Sequence, residues 1–129
     1  MIVAGIGCRR GASVADVLSA IDAALSETEL GAEALALIAA PAEKGGEEGI
    51  VAAAAQLGRP LVLVPPEKLK AAGARTLTRS ERVVALFGVP SVAEASALAA
   101  AGDASVLLVG RHIAGGATCA LATSAGQRV

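Results

Sequence analysis

The chain of 129 residues is almost without aromatic side chains, since it has one Phe and neither Trp nor Tyr. Proteins that bind single-stranded nucleic acid stack the bases on aromatic side chains, and this sequence offers no such platform. The formal net charge is −1, so no overall positive field attracts nucleic acid either. The composition therefore argues against a nucleic-acid partner, and any anion-binding site must be local.

Potential metal ligands are equally scarce. The chain has two Cys and one His, and no cysteine or histidine cluster has the spacing of a metal site. Two cysteines far apart in sequence are more typical of free thiols than of a disulfide in a reducing compartment. The sequence therefore predicts no metal and no cofactor.

Long apolar runs are also missing, although 54% of the residues are hydrophobic. No stretch of 18 or more residues is apolar throughout, as a membrane span requires. Met1 leads directly into a predicted strand, without the basic and apolar leader of a secreted protein. We expect a cytoplasmic protein with no membrane contact.

The apolar pattern that is present predicts an α/β fold. Residues 2–6, 35–39, 61–64, 106–109 and 117–123 read as strands, and residues 14–25, 47–57, 66–72, 80–86 and 91–101 read as helices. A chain of this length forms one domain, here spanning residues 1–129. Alternating strands and helices predict a three-layer α/β/α sandwich around a mixed, mainly parallel sheet of about five strands. The short connection between the last two strands favours an antiparallel hairpin.

The first strand runs into a glycine-bracketed turn that has the features of an anion site. This turn, Gly7–Gly11, carries Arg9 and Arg10, and Ser13 with Asp16 marks the start of the following helix. A hydrogen bond to a charged group contributes about 1.5–3 kcal/mol, whereas a helix dipole contributes about 0.3–1 kcal/mol. The arginines are therefore expected to dominate the binding of a carboxylate or phosphate.

Further polar residues are predicted to lie at the same edge of the sheet. Ligands of open α/β sheets bind at the carboxyl ends of the strands, where Lys44 and Glu47 follow the second strand and Arg111 and His112 follow the fourth. We expect them to converge with the turn on one basic cleft. The full set of candidate ligand-binding residues is Gly7, Cys8, Arg9, Arg10, Gly11, Lys44, Glu47, Ser91, Arg111, His112, Gly116 and Thr118.

Two residues are candidates for catalysis. His112 is the only side chain with an ordinary pKa near neutrality, and Cys8 lies beside arginines and a predicted helix start, which can activate a thiol. No base for Cys8 is identifiable, and each residue has a structural alternative: packing for Cys8 and surface hydrogen bonding for His112. The sequence contains no P-loop and no dinucleotide-binding glycine fingerprint, so the residues alone define no reaction.

Four segments together resemble a known family. They are GIGCRRG at residues 5–11, KGGEEGI at residues 44–50, GVPSVAEA at residues 88–95 and GGATCALA at residues 115–122. They are similar to the CobE/CbiG C-terminal family of cobalamin biosynthesis. Since the strand that leads into the first of these segments follows Met1 directly, we expect the stand-alone CobE-like form. Where that family often has lysines before its last strand, this chain has Arg111 and His112.

The resemblance implies a role in the corrin-ring pathway, with no cofactor of its own. It implies that the protein binds a carboxylate-rich corrinoid or precorrin intermediate, as a carrier or accessory factor of the aerobic pathway. A second alternative is a hydrolase like the one that opens the ring lactone of cobalt-precorrin-5A and releases acetaldehyde. A third is a non-catalytic subunit that contacts other cobalamin-pathway enzymes. The sequence leaves these three open.

Overall fold

The computed structural model describes residues 1–77 and 79–124, which form strands and helices. None of the helices in these two ranges has the length and apolar character needed to cross a membrane. The elements, in chain order, are β1 (Ile2–Cys8), α1 (Val14–Leu25), β2 (Leu35–Pro41), α2 (Glu48–Leu57), β3 (Leu61–Val64), α3 (Pro66–Gly73), α4 (Glu81–Phe87), α5 (Val92–Ala101), β4 (Val106–Ala114) and β5 (Ala117–Thr123).

The strands form one sheet in the order β3-β2-β1-β5-β4. The pairs β1–β2 and β2–β3 are parallel, whereas β5 runs antiparallel to both β1 and β4. Since β4 opposes β5, it runs in the same direction as β1, and β5 alone is reversed. The predicted mixed, mainly parallel sheet is thus confirmed.

Helices cover both faces of the sheet and bury two separate clusters of apolar side chains. On one face α1 and α2 pack on the sheet through residues such as Val17, Ile21 and Ile50. On the other face α3 and α5 pack through residues such as Leu69 and Leu98. This arrangement confirms the predicted three-layer sandwich.

Hydroxyl side chains start the helices that flank the site. Ser13 Oγ accepts a hydrogen bond from Asp16 N at 3.0 Å, and Asp16 Oδ2 accepts one from Ser13 N at 3.3 Å. This reciprocal capping box fixes the first turn of α1. Ser91 Oγ likewise accepts from Glu94 N at 3.3 Å at the start of α5. Both helices begin where the sequence predicts.

The absence of a side chain at Gly5 brings α5 directly onto β1. A Cβ atom at this position would lie 2.1 Å from Ala93 O and 2.5 Å from Ala97 N. Both contacts are with backbone atoms of α5, which cannot move aside alone. Glycine in β1 therefore sets the distance between the sheet and this helix.

The extent of β4 differs from the prediction. The strand continues to Ala114, so that Arg111 and His112 lie within β4 and not in the connection after it. The pairing with β5 shifts register between Leu107 and Val109 and again between Val109 and His112, and such irregularities let a strand continue past a glycine. The predicted hairpin is confirmed, with Gly115 and Gly116 as its turn.

Candidate functional site

A cavity of about 760 Å³ opens where β1 and β2 end. Its walls come from the turn after β1, the segment after β2, the two strands of the final hairpin, and the helices α4 and α5. The predicted residues that line it are Gly7, Cys8, Arg9, Arg10, Lys44, Glu47, Arg111, Gly116 and Thr118. Three other predicted residues, Gly11, Ser91 and His112, are not among the described residues that line it.

One wall of the cavity is cationic. The lining carries four positive side chains, Arg9, Arg10, Lys44 and Arg111, and two negative ones, Glu43 and Glu47. The local excess of positive charge contrasts with the net charge of −1 for the whole chain. The lining thus has a local excess of positive charge, as expected for a local anion site.

Contacts on two sides hold the turn after β1. Arg9 N donates to Gly116 O at 2.9 Å, and a Cβ atom at Gly116 would lie 2.8 Å from Arg9 Nε. The Arg9 side chain therefore lies against the turn between β4 and β5. On the other side, Gly11 N donates to Glu47 Oε1 at 3.0 Å. Both arginines of the turn thus start from a fixed backbone.

The Glu47 side chain connects the turn after β1 with the segment after β2. Its carboxylate accepts from Gly11 N through Oε1, and Oε2 lies 4.0 Å from Lys44 Nζ. The Lys44 and Glu47 side chains are each 16% exposed. The carboxylate thus already has a backbone donor, and it partly offsets the charge of Lys44 at the cavity wall.

Thr118 contributes a hydroxyl between two strands. It pairs with Gly7 across β5 and β1, and its Oγ1 donates to Gly7 O at 3.3 Å. A Cβ atom at Gly7 would lie 2.8 Å from that oxygen, so glycine leaves room for the hydroxyl. The Thr118 oxygen can still accept a hydrogen bond from a molecule in the cavity.

Another wall of the cavity is apolar, and the sequence analysis did not include it. It consists of Val83, Leu86 and Phe87 from α4 and Val92 from α5. The spacing of Val83, Leu86 and Phe87 places them on one face of a helix, which is the signal that could have indicated this wall. Leu86 is 62% exposed, so this part of the wall is open to solvent.

Hydrogen bonds at both ends hold α4 in place. Ser80 Oγ accepts from Val83 N at 3.3 Å at the start of the helix. Gly88, with a φ of 75°, ends it in the left-handed conformation that favours glycine. Ser80 N donates to Pro90 O at 2.8 Å, which joins the two ends of the segment. The helix that carries most of the apolar wall therefore lies in a segment, residues 80–90, whose two ends are joined by a hydrogen bond.

The two candidates for catalysis are differently placed. Cys8 lines the cavity, and its partial burial raises the pKa of the thiol, while the charge of Lys44 lowers that pKa and the charge of Glu47 raises it. His112 pairs with Cys119 in the ladder between β4 and β5. Since successive side chains of a strand point to opposite faces, and Arg111 faces the cavity, His112 faces the other side of the sheet.

Neither of the two predicted catalytic residues has the features of an activated nucleophile or base at the cavity. A thiol with a raised pKa stays protonated at neutral pH, whereas a nucleophilic cysteine needs a lowered pKa. Among residues 1–77 and 79–124, no group of three or more His, Cys, Asp and Glu side chains is arranged to hold a metal ion. What the described residues offer is recognition: positive charge on one wall and apolar surface on the other.

An α/β/α domain with a cavity at its strand ends has the architecture that small-ligand-binding α/β domains share. The chain belongs to the cobalamin synthesis G C-terminus family, whose model matches residues 2–122, and it is a protein of cobalamin biosynthesis. The match covers all four segments on which the resemblance was based, and it confirms that resemblance.

One relative and two solved structures support the assignment. Protein CobE of Sinorhizobium sp is 33% identical over 127 residues, which are 98% of this chain and 82% of that protein. A crystal structure of CobE, described as a protein from the cobalamin (vitamin B12) biosynthetic pathway, superposes with a TM-score of 0.88 at 33% identity and covers 95% of this chain and 89% of the other. The cobalamin biosynthesis protein chiG from Agrobacterium tumefaciens str. C58 gives a TM-score of 0.76 at 37% identity and covers 97% and 99%.

A more distant structure shares the fold. It is a putative cobalamin biosynthesis protein G homolog from Sulfolobus solfataricus, with a TM-score of 0.67 at 24% identity. The match covers 95% of this chain but 36% of the other. The same fold therefore also occurs as one part of a longer protein.

Proposed function

We propose that the protein binds a carboxylate-rich corrinoid intermediate of cobalamin biosynthesis, as a carrier or accessory factor. The observation that supports this most is the composition of the cavity, whose lining combines four cationic side chains with apolar side chains of α4. Intermediates with a corrin ring carry acetate and propionate side chains around an extended ring. The cations suit those acids, and the apolar wall suits the face of the ring.

The size and openness of the cavity are consistent with such a ligand. Its volume of about 760 Å³ falls within the range of roughly 300–1,000 Å³ that is usual for small-molecule sites. Arg9, Arg10 and Leu86 are exposed to solvent around it. A large ring can therefore lie partly inside the cavity while the rest remains in solvent.

The two residues predicted as candidates for catalysis give no support to lactone opening. Hydrolysis of a lactone needs a base or nucleophile within reach of the ring. Of the two candidates, Cys8 has a thiol pKa raised by burial, and His112 does not line the cavity. The cytoplasmic location stays a prediction, as does contact with other enzymes of the pathway.

The test is a visible-absorbance titration of the purified chain with a panel of corrin-ring intermediates. The double variant Arg9→Ala with Arg10→Ala is measured beside the wild type. The matched control is Lys68→Ala with Lys70→Ala, which removes the same charge from exposed positions of α3 outside the cavity. We expect saturable binding that the first variant loses and the control keeps.

Two outcomes contradict the proposal. Failure of the folded wild type to bind any member of the panel removes the ligand site and favours the interaction subunit. Release of acetaldehyde on incubation with the lactone substrate replaces the carrier role with a hydrolase.

A further inference from the structure

We propose that the cavity selects rings whose peripheral acids are free carboxylates and rejects the same ring when those acids are amides. This inference rests on the proposed function and names the chemical class of its ligand. It follows from the different contributions of the two walls of the cavity. The cationic wall distinguishes charged from neutral side groups, and the apolar wall provides affinity that does not depend on charge.

The positive side chains of the cationic wall outnumber the carboxylates beside them. Four cations line the cavity beside two carboxylates, and the Glu47 carboxylate already accepts from Gly11 N at 3.0 Å. A ligand that covers these cations removes water from them, which is costly unless an anion takes the place of the water. A carboxylate makes that replacement with charge-assisted hydrogen bonds. A neutral amide offers one carbonyl acceptor and no charge, so it cannot.

The cations of this wall also come from three different segments of the fold and not from one. Arg9 and Arg10 follow β1, Lys44 follows β2, and Arg111 comes from β4 at the other side of β5. A ligand with one terminal acid can pair with the cations of only one of these segments. A ring with acids around its edge can meet several of them at once, and several such contacts together make the discrimination between acid and amide large.

The apolar wall makes no such distinction. Val83, Leu86 and Phe87 present one face of α4 to the cavity and can cover the face of a ring through burial of apolar surface, which is non-directional. That contribution is the same for an acid and for its amide, because the side groups lie at the edge of the ring. Selectivity and affinity are therefore carried by different residues.

This division places the protein in a reaction sequence. Its ligand comes from reactions that leave the peripheral acids intact. A reaction that converts those acids to amides consumes the ligand, and by removing the charges it also weakens binding here. The protein thus acts on the free-acid side of any amidation step.

The experiment compares one ring in two chemical forms. The probes are cobyrinic acid, whose peripheral side groups are free acids, and its fully amidated counterpart, each titrated by visible absorbance into the full chain. We expect the acid to bind at least about 100-fold more tightly, the combined effect of two or more charge-assisted contacts. Raising the salt from about 0.05 M to about 0.5 M should narrow this ratio, since exposed charges are screened.

Two variants test the contributions of the two walls to binding separately. Arg9→Gln should lower the ratio of acid to amide affinity about tenfold, whereas Leu86→Ser should weaken both probes by a similar factor and leave the ratio unchanged. The controls are Lys68→Gln, which likewise removes one positive charge, and Leu108→Ser, which makes the same substitution as Leu86→Ser. Both positions are exposed and lie outside the cavity. The thermal midpoint of each variant is measured to show that it is folded.

The outcomes distinguish this inference from the proposed function. Equal affinity for acid and amide overturns the inference and leaves corrinoid binding in place. Binding of neither probe, nor of any intermediate, overturns the proposed function itself. A drop in the ratio for Leu86→Ser as large as for Arg9→Gln contradicts the division between the walls.

Discussion

Glu94 Oε2 accepts a hydrogen bond from the backbone N–H of Arg111 at 2.8 Å. Its other oxygen, Oε1, accepts from Leu77 N at 2.6 Å, and the residue is 0% exposed. One buried carboxylate on α5 thus connects the strand that brings Arg111 to the cationic wall with the segment that leads into α4. Its place in the first turn of α5 suits a negative charge, since the amino end of a helix is its positive end.

Replacement of this carboxylate is expected to destabilise the protein strongly. Glu94→Ala leaves the N–H groups of Leu77 and Arg111 without this acceptor in a buried site, and we expect a loss of about 2–4 kcal/mol in the free energy of unfolding. Glu94→Gln keeps an acceptor oxygen but turns an NH₂ group toward a donor, so its loss should be smaller. Urea denaturation measures both.

Glu29→Ala is the control for Glu94, because Glu29 is exposed and lies in the bend after α1. It should change the free energy of unfolding by less than about 0.5 kcal/mol. If Glu94→Ala were as mild as Glu29→Ala, the carboxylate would not be the connection between β4 and the segment before α4.

The contact between β1 and α5 gives a second prediction. Gly5→Ala would place a methyl group 2.1 Å from Ala93 O, so either α5 moves away from the sheet or the chain does not fold. We expect a loss of more than about 3 kcal/mol, the range of severe overpacking. Thermal unfolding followed by circular dichroism measures it.

Gly46→Ala is the matched control, since a Cβ atom at Gly46 meets no atom within 4 Å and its φ is not positive. This variant should be neutral or stabilising by up to about 1 kcal/mol, because alanine has fewer unfolded conformations. Equal midpoints for the two variants would show that α5 can shift on the sheet at little cost.

The sequence allowed the layers of the fold to be predicted because local signals were strong. Ser13, Gly58 and Ser91 mark helix ends through capping chemistry that depends on neighbouring residues, and these helix ends lie where predicted. The predicted end of β4 was wrong because Gly110 interrupts the apolar pattern. Pairing with β5 continues the strand past this glycine, and such pairing is not a local property of the sequence.

The cationic half of the site was predictable for the same kind of reason, and the apolar half was not. Arg9 and Lys44 directly follow strands, and the carboxyl ends of parallel strands meet at one edge of a sheet. Leu86 and Phe87 belong to a short helix whose position depends on the contact between Ser80 and Pro90. Nothing in the local pattern indicates that their shared face lines a cavity as well as packing, through Phe87, against the core.

The buried thiol of Cys119 predicts a loss of stability at alkaline pH. Burial raises the pKa of Cys119 in the folded chain, whereas in the unfolded chain it is about 8.5. The stability is therefore fully present below pH ~8.5 and falls as the pH rises above it, because the unfolded state then loses its proton first, with a slope of up to about 1.4 kcal/mol per pH unit. The chain has no Tyr to titrate in this range.

Urea denaturation at several pH values between about 7.5 and 10.5 measures this slope. Cys119→Ala should flatten it, whatever the variant's stability at neutral pH. Cys8→Ala should flatten it less, since that thiol is only partly buried and Lys44 lowers its pKa. An unchanged slope in Cys119→Ala would mean that other groups cause the alkaline loss.

The negative charge of Glu43 gives a prediction of the opposite sign to those for the arginines. Glu43 is exposed in the short turn after β2 and lines the cavity with Lys44, so it repels a ligand that carries carboxylates. Glu43→Gln should therefore tighten the binding of cobyrinic acid about two- to fivefold at low salt, the size of one screened charge interaction. It should leave the affinity for the amidated ring unchanged.

Glu29→Gln removes the same charge from an exposed position outside the cavity and separates a local effect from one of net charge. A similar gain in both variants would mean that net charge, not the cavity wall, attracts the ligand. Weaker binding in Glu43→Gln would mean that this carboxylate accepts a hydrogen bond from the ligand. A gain confined to Glu43→Gln and to the free acid, and lost at high salt, requires the ligand's carboxylates to lie beside the turn that carries Glu43 and Lys44.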